Sequence, residues 1–448
     1  MTATTTPGSW STSRRTSPPG VPLPSFSPQT AAALAGPQFL ATDRRAAAER
    51  FAAAALPTST LEEWRYSRID ALDPERYQPL TAPSTPEPDR GQLGRLLAAL
   101  GPAVTVIETT DGWVSGSSGS DPAVTVGRVS DLDDRPAGFG DLAGEPDAFA
   151  TASRAFAPDP VVIRVQPHAA AAPVVVVHWC AADDAALFPR ILIQASEDSE
   201  VSVLEVVAGP GRSLVAPVTE IDVARAARVS YLNLQTLAPA AWQIGLQASR
   251  VGADASFTSA AVALGGDYAR LRTDSALTGP GGSTRMLALY FGAGQQMHDF
   301  RTVQDHRAPK THSDLLYKGV VANTARSVYS GLIRVEKGAR GTNAFQTNRN
   351  LVLHEGAHAD SVPNLEIEDN DVRCSHASAV GPVSEDQRFY LESRGVPPEV
   401  TDRLISLGFL HEVVERLPFP ALAPLVTEAL RAKLRAAEAA EAEREVDS

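Results

Sequence analysis

Residues 354–394 read HEGAHADSVPNLEIEDNDVRCSHASAVGPVSEDQRFYLESR, and the fold turns on the change of texture inside this stretch. Up to Ile367 it closes a long region of short β-runs. From Ser384 it opens a helix. Ser384 and Gln387 make a capping-box pattern, in which each side chain satisfies a backbone N–H of the first turn. Between the two lies Cys374-Ser375-His376. In an extended segment, positions i and i+2 project to one face. Thiolate and imidazole could there share one transition metal or one sulfur species. The spacing is equally compatible with a small buried cysteine beside a hydrogen-bonded histidine.

Reading back from this stretch, residues 160–380 are built of runs such as VVIRV, PVVVVHW, RILIQA, VSVLEVV, VSYLNLQ and RMLALYF. Each is 4–8 residues long and bounded by Gly, Ala, Asp or Asn, which marks strands. Small-residue turns are expected at Glu200-Val201, Ala226-Ala227, Gly252-Ala253, Gly281-Gly282, Thr324-Ala325, Gly338-Ala339 and Gly356-Ala357. Their spacing is irregular and gives no strict repeat. No long helix interrupts the region, so βαβ units are excluded and a sandwich or a parallel β-helix remains. Runs such as PVVVV, apolar at successive positions, suit a sheet buried on both faces.

The flanks read as helical. Residues 1–30, rich in Ser, Thr and Pro, are expected to be a disordered tail. Residues 31–156 are expected to form an N-terminal helical and mixed domain. Leu40, Phe51 and Leu56 share one side there, Pro57 closes the first segment, and a short helix begins near Thr60. Residues 83–92 read as a linker, RLLAAL as a helix and VTVIET as a strand. The β core is expected over 157–382. Residues 383–448 are expected to be a C-terminal helical domain with its own apolar stripe through Leu404, Leu410, Val413 and Val414.

Composition narrows the function. A net charge of −13 argues against nucleic acid and anionic membrane surfaces as partners. No apolar run is long enough to span a bilayer, and the N-terminus has no apolar core of a secretory signal. Two cysteines, Cys180 and Cys374, make no disulfide framework and fit a reducing cytoplasm. The only lysines are Lys310, Lys318, Lys337 and Lys433, and none follows a glycine, so no G-K-[ST] phosphate loop exists.

His354-Glu355-Gly356-Ala357-His358 matches the H-E-x-x-H pattern of zinc proteases. That chemistry needs both histidines on one helix face. A β-run before it, Gly356 within it and Pro363 after it argue instead for a polar turn. Cys180 beside His178 reads as core packing. His298, His306 and His312 are expected to play hydrogen-bonded structural roles.

Several of these elements together resemble the SufB/SufD family of iron–sulfur cluster assembly scaffolds. They are Leu365-Glu366-Ile367, Asp369 with Asp371 and Val372, Cys374-Ser375-His376, and FYLESRG from Phe389 to Gly395. Upstream, Tyr317-Lys318-Gly319-Val320, Gln346-Thr347-Asn348 and the element LEEWRYS at 61–67 fit the same family. Cys-Ser-His at 374–376 is similar to its SufD branch.

The resemblance implies a right-handed parallel β-helix core flanked by N-terminal and C-terminal helical domains. It implies a non-catalytic scaffold that pairs with a SufB-like paralogue, while a SufC-like ABC ATPase docks on the C-terminal helices and supplies ATP hydrolysis. His376 and Cys374 then lie at the cluster-assembly interface as metal-contacting residues. Phe389, Tyr390, Leu404, Leu410, Val413 and Val414 become the partner-binding set. The iron–sulfur cluster would be nascent and transient at the complex interface, with none stably bound by the isolated chain, which could also form a homodimer. The alternatives are a SufB-type paralogue, against which two cysteines argue, and a β-helix carbohydrate-active enzyme.

Overall fold

The computed structural model describes residues 23–84 and 89–447. Among them, the strands form two sheets, one of twelve and one of ten. From Val218 on the chain alternates between the sheets, so neighbours within each are two strands apart in sequence. The ten-stranded sheet runs from Trp113–Ser118 and Thr105–Thr110 through Val174–Trp179, Glu200–Gly209 and Arg228–Leu237 to Asn343–Val352 and Arg373–Gly381. The other begins with Val124–Arg128 and Val161–Val165 and ends with Arg326–Val335 and His358–Ile367. Apart from antiparallel pairs at the start, the pairing is parallel. This is a parallel β-solenoid of about eight turns with helices at both termini.

The coil has a period that the sequence hides. Glu200 pairs with Arg228, Arg228 with Ser256, Ser256 with Ser283, Ser283 with His312, His312 with Asn343 and Asn343 with Arg373, a step of 27–31 residues. One corner of each turn needs a residue at positive φ, filled in succession by Asp198, Ala226, Asp254, Gly281 and Lys310. Their backbone N–H groups donate to the turn above: Asp198 to Arg225, Ala226 to Ala253, Asp254 to Pro280, Gly281 to Pro309 and Lys310 to Arg340. These bonds offset the left-handed conformation, so no single residue type is required. The turn expected at Glu200-Val201 lies two residues earlier, at Asp198-Ser199, and Glu200 already begins a strand.

The two sheets are covered by different segments of the chain. Phe26, Phe51, Trp64, Phe149 and Phe156 pack with Phe188, Trp242, Tyr268 and Met297 on the outside of the twelve-stranded sheet. Helix Arg90–Leu100 and helices Pro398–Val414 and Ala423–Asp447 cover the ten-stranded sheet, joining Leu204, Leu232, Val262, Leu289 and Val320 in one core.

Three expectations change as a result. Strands of the two sheets occur well before 157: Gln78–Pro79 pairs with Ala185–Leu187, and Thr105–Thr110 pairs in parallel with Val174–Trp179. The tail read as disordered over 1–30 lies outside the described residues for 1–22. Residues 23–30 are structured: Phe26 is buried and Ser27 caps helix Pro28–Ala32. The C-terminal helices share their core with the sheet and do not form a self-contained unit.

Candidate functional site

The last rung of each sheet is paired on one side only. Strand parity places Ala359, Ser361, Pro363, Leu365 and Ile367 on the inward row of one strand, above Ser327, Tyr329, Gly331, Ile333 and Val335. On the other, Cys374, His376, Ser378 and Val380 stand above Ala344, Gln346, Asn348 and Asn350. Among the described residues, Ala359 is buried, but most of these two rows is open. Leu365, Ile367 and Val380 are 37%, 44% and 43% exposed, whereas Ile333 and Val335, one rung below, are 0%. The end of the solenoid is therefore a cross-section of its core opened to solvent, bridged at one point by Ser378 donating to Ser361 at 2.8 Å.

Cys374 and His376 share one row of this end, as the i, i+2 spacing requires, but their surroundings differ. Cys374 packs against Ile333, Val335, Ala339 and Ala344 and is partly buried. Burial pushes its thiol above the ordinary value, against a lowering hydrogen bond from the Ala344 backbone. His376 is exposed. Among the described residues, no group of three or more His, Cys, Asp or Glu side chains could hold a metal ion. Two donors fall short of the four that a closed tetrahedral site uses, so an iron species at Cys374 and His376 needs ligands from outside the described residues.

The helices after Ser384 divide in two. Phe389, Tyr390 and Leu404 are 75%, 58% and 47% exposed. They belong to helices Glu385–Glu392 and Pro398–Val414, which Arg388 ties together through two hydrogen bonds to Asp402 of 2.6 and 2.7 Å. A groove of about 410 Å3, lined by Glu385, Arg388, Phe389, Glu392, Pro398 and Asp402, lies beside them. Leu410, Val413 and Val414, expected to bind a partner, are 0%, 0% and 2% exposed and face Leu289 and Val320 of the sheet. They are core residues, because the stripe that reads as a docking face is already occupied by this chain's own solenoid. Lys318 fastens that contact, donating to the Phe409 carbonyl at 2.9 Å and pairing with Glu412 at 2.5 Å.

Of the three histidines at 298–312, His298 and His306 are hydrogen-bonded in the core, and His312 is not buried. His354 lies in the turn before strand His358–Ile367 and accepts from the Asn323 backbone N–H, so the H-E-x-x-H match has no helix beneath it. His298 is buried against the Gly265 carbonyl and His306 between Thr311 and Ser313. Burial pushes them down to about 3 and about 4. His312 is exposed on a strand start.

One buried ion cluster escaped sequence reasoning. Asp299 accepts from Arg270, Arg301 and Tyr268. Burial alone would raise its carboxyl, but the two guanidiniums hold it below the usual range. Arg270 stacks on Trp64 at 3.9 Å and donates to the Glu63 carbonyl, and Arg301 donates to the Arg65 carbonyl. The LEEWRYS element is thereby pinned to the middle of the solenoid. Its Trp and acidic pair stood out in the sequence; the strand residues that receive it, more than 200 positions away, did not.

Residues 178–409, just over half of the chain, match the family described as "SUF system FeS cluster assembly, SufBD core domain". The chain is 36% identical over 239 residues to an iron–sulfur cluster assembly SufBD family protein of Mycobacterium tuberculosis, covering 52% of this chain and 60% of that one. It is 29% identical over 269 residues to the iron–sulfur cluster assembly protein SufD of Bacillus subtilis, covering 59% and 61%. With Escherichia coli SufD the identity is 30% over 227 residues, 50% of this chain and 54% of that one. The chain thus spans about 60% or less of the length of these curated relatives. The matched residues run through most of the solenoid and into the C-terminal helices, and the chain belongs to the SufB/SufD family of the SUF system, on its SufD branch.

Proposed function

We propose that the chain is a scaffold subunit of SUF iron–sulfur cluster assembly, with the nascent cluster as its cargo and not a resident cofactor. The observation that carries this reading is the uncovered last turn. It presents Leu365, Ile367 and Val380 to solvent together with unpaired strand edges and two soft-metal donors, Cys374 and His376. An open edge with exposed core side chains is a template for strand pairing with another chain. A SufB-like paralogue presenting its own last turn would cover the apolar row and complete the ligand set in one step. A second copy of this chain would cover the same row without supplying the missing donors.

Phe389, Tyr390 and Leu404 are the surface proposed for the SufC-like ABC ATPase. An aromatic pair beside a charged groove has the composition of an interface anchor. ATP hydrolysis would belong to that partner, since this chain has no phosphate loop. Two free cysteines suit a reducing cytoplasm.

The test co-expresses the chain with its paralogue and ATPase and measures assembly, iron and sulfide. His376→Ala is expected to leave assembly intact and sharply reduce cluster yield. Cys374→Ala is expected to do less, because its sulfur is partly withdrawn into the core. Phe389→Ala with Tyr390→Ala is expected to release the ATPase alone. A fully loaded complex from the His376→Ala chain would overturn the role given to this histidine.

A further inference from the structure

The inward row that ends in His376 carries Met286 and Leu315 on the two rungs below Gln346. An amide at that place breaks an apolar column. Gln346 is 1% exposed, and neither its Oε1 nor its Nε2 has a hydrogen-bond partner. A buried amide left so loses its hydration and gains no bond in return. Its neighbours are not in that state. Asn348 donates to Tyr290 and the Tyr317 carbonyl, Asn350 donates to Asn348, and Tyr290 donates to Asn350. Other buried amides, such as Gln235, Gln243 and Gln304, lack a partner at one atom; among the described residues Gln346 is the one that lacks it at both.

Space has been left for it. Gly331 stands across the lumen, and a Cβ there would collide with Gln346 Oε1 and with the Tyr329 hydroxyl. The rung above Gln346 is His376, in direct register. We propose that Gln346 is a positioning residue for His376: its amide receives the imidazole when the end face is covered, and fixes the ring's orientation and which nitrogen carries the proton. An imidazole that engages a metal or shuttles a proton through one nitrogen needs its other nitrogen held, and an amide can hold either tautomer. This rests on the role of His376 given above.

The test compares Gln346→Leu, Gln346→Glu, His376→Ala and the double variant His376→Ala/Gln346→Leu. Each is co-expressed with the paralogue and the ATPase and read by iron and sulfide content of the purified complex. Gln346→Leu is expected to lower cluster yield about tenfold, the scale of losing a ligand's orienting partner, with assembly unchanged. Gln346→Glu is expected to restore most of it, since a carboxyl buried there stays protonated and keeps a donor and an acceptor. The double variant is expected to fall no lower than His376→Ala alone, because Gln346 acts through the histidine. Wild-type yield from Gln346→Leu, or a double variant lower by the full single-variant factor, overturns the proposal. Should Gln346→Leu fail to assemble, Gln346→Met, unbranched and of similar length, is read against the same outcomes. A normal yield from His376→Ala instead overturns the role of the histidine, and that arm is scored separately.

Discussion

The middle and the last turn of this solenoid are built from the same column positions, yet they differ in what surrounds them. Ile333 and Leu365 are direct register partners in one inward row, and one is sealed while the other is more than a third exposed. Asp299 and Glu366 each accept from an arginine. The first is fully buried among Arg270, Arg301 and Tyr268; the second pairs with Arg334 on the surface. Propagating a solenoid solves the burial problem for every rung except the last. In the first rungs the antiparallel strands Trp113–Ser118 and Val124–Arg128 continue the sheets outward. At the far end, among the described residues, no strand follows Arg373–Gly381. The difference leaves the exposed His376, and the partly buried Cys374 beside it, on the open end of the solenoid.

If the contrast is real, equivalent changes at the two places give unequal results. The largest effect is expected from Asp299→Ala, which leaves Arg270 and Arg301 buried without their counter-ion. About 3–5 kcal/mol of stability should be lost, read by urea unfolding. A loss below about 1 kcal/mol would mean that water reaches the cluster. Next, Ile333→Ala should cost about 3 kcal/mol through the cavity it leaves in the sealed rung. Leu365→Ala, one rung on, should cost the isolated chain less than about 1 kcal/mol. Leu365→Asp should leave the isolated chain folded but prevent pairing with the paralogue. Equal destabilisation by the two alanines would show that the last turn is covered in the isolated chain.

The covered flank has its own signature in pH. Lys433 of helix Ala423–Asp447 lies over Leu264 and Phe291, and burial pushes its ammonium down to about 7. An unfolded lysine titrates near ~10.4. Between these values the unfolded chain binds more protons than the folded one, so stability should rise from about pH 7 toward about pH 10. Lys433→Met should abolish the rise, monitored by thermal unfolding across that range. A Lys433→Met chain that keeps the same slope would assign the effect to another group. The smallest change is expected at the last turn: Glu366→Ala removes an exposed pair with Arg334 and should shift stability by less than about 1 kcal/mol.

The sequence by itself determined the material of this protein: short β-runs without intervening helices, a helix after Ser384, although Ser384 makes no side-chain cap hydrogen bond, and Cys374 and His376 two apart on an extended segment. Each rests on local rules of period, capping and turn chemistry, which act within a few residues. Those rules also found the strand read as VTVIET, which runs over Thr105–Thr110, and the helix read as RLLAAL, which starts earlier, at Arg90, inside the stretch read as a linker. They could not number the turns, because the repeated corner is held by hydrogen bonds between turns and accepts Asp, Ala, Gly or Lys alike. They could not say that Leu410, Val413 and Val414 are interior while Phe389 and Tyr390 are not. An apolar stripe looks the same whether it meets this chain's sheet or another protein. Only the tertiary structure decided which stripe was already covered, which rung was last, and that the amide beneath His376 was left without a partner. Those are properties of what stacks on what, and residues that meet across a solenoid turn lie some 27–31 positions apart in the chain.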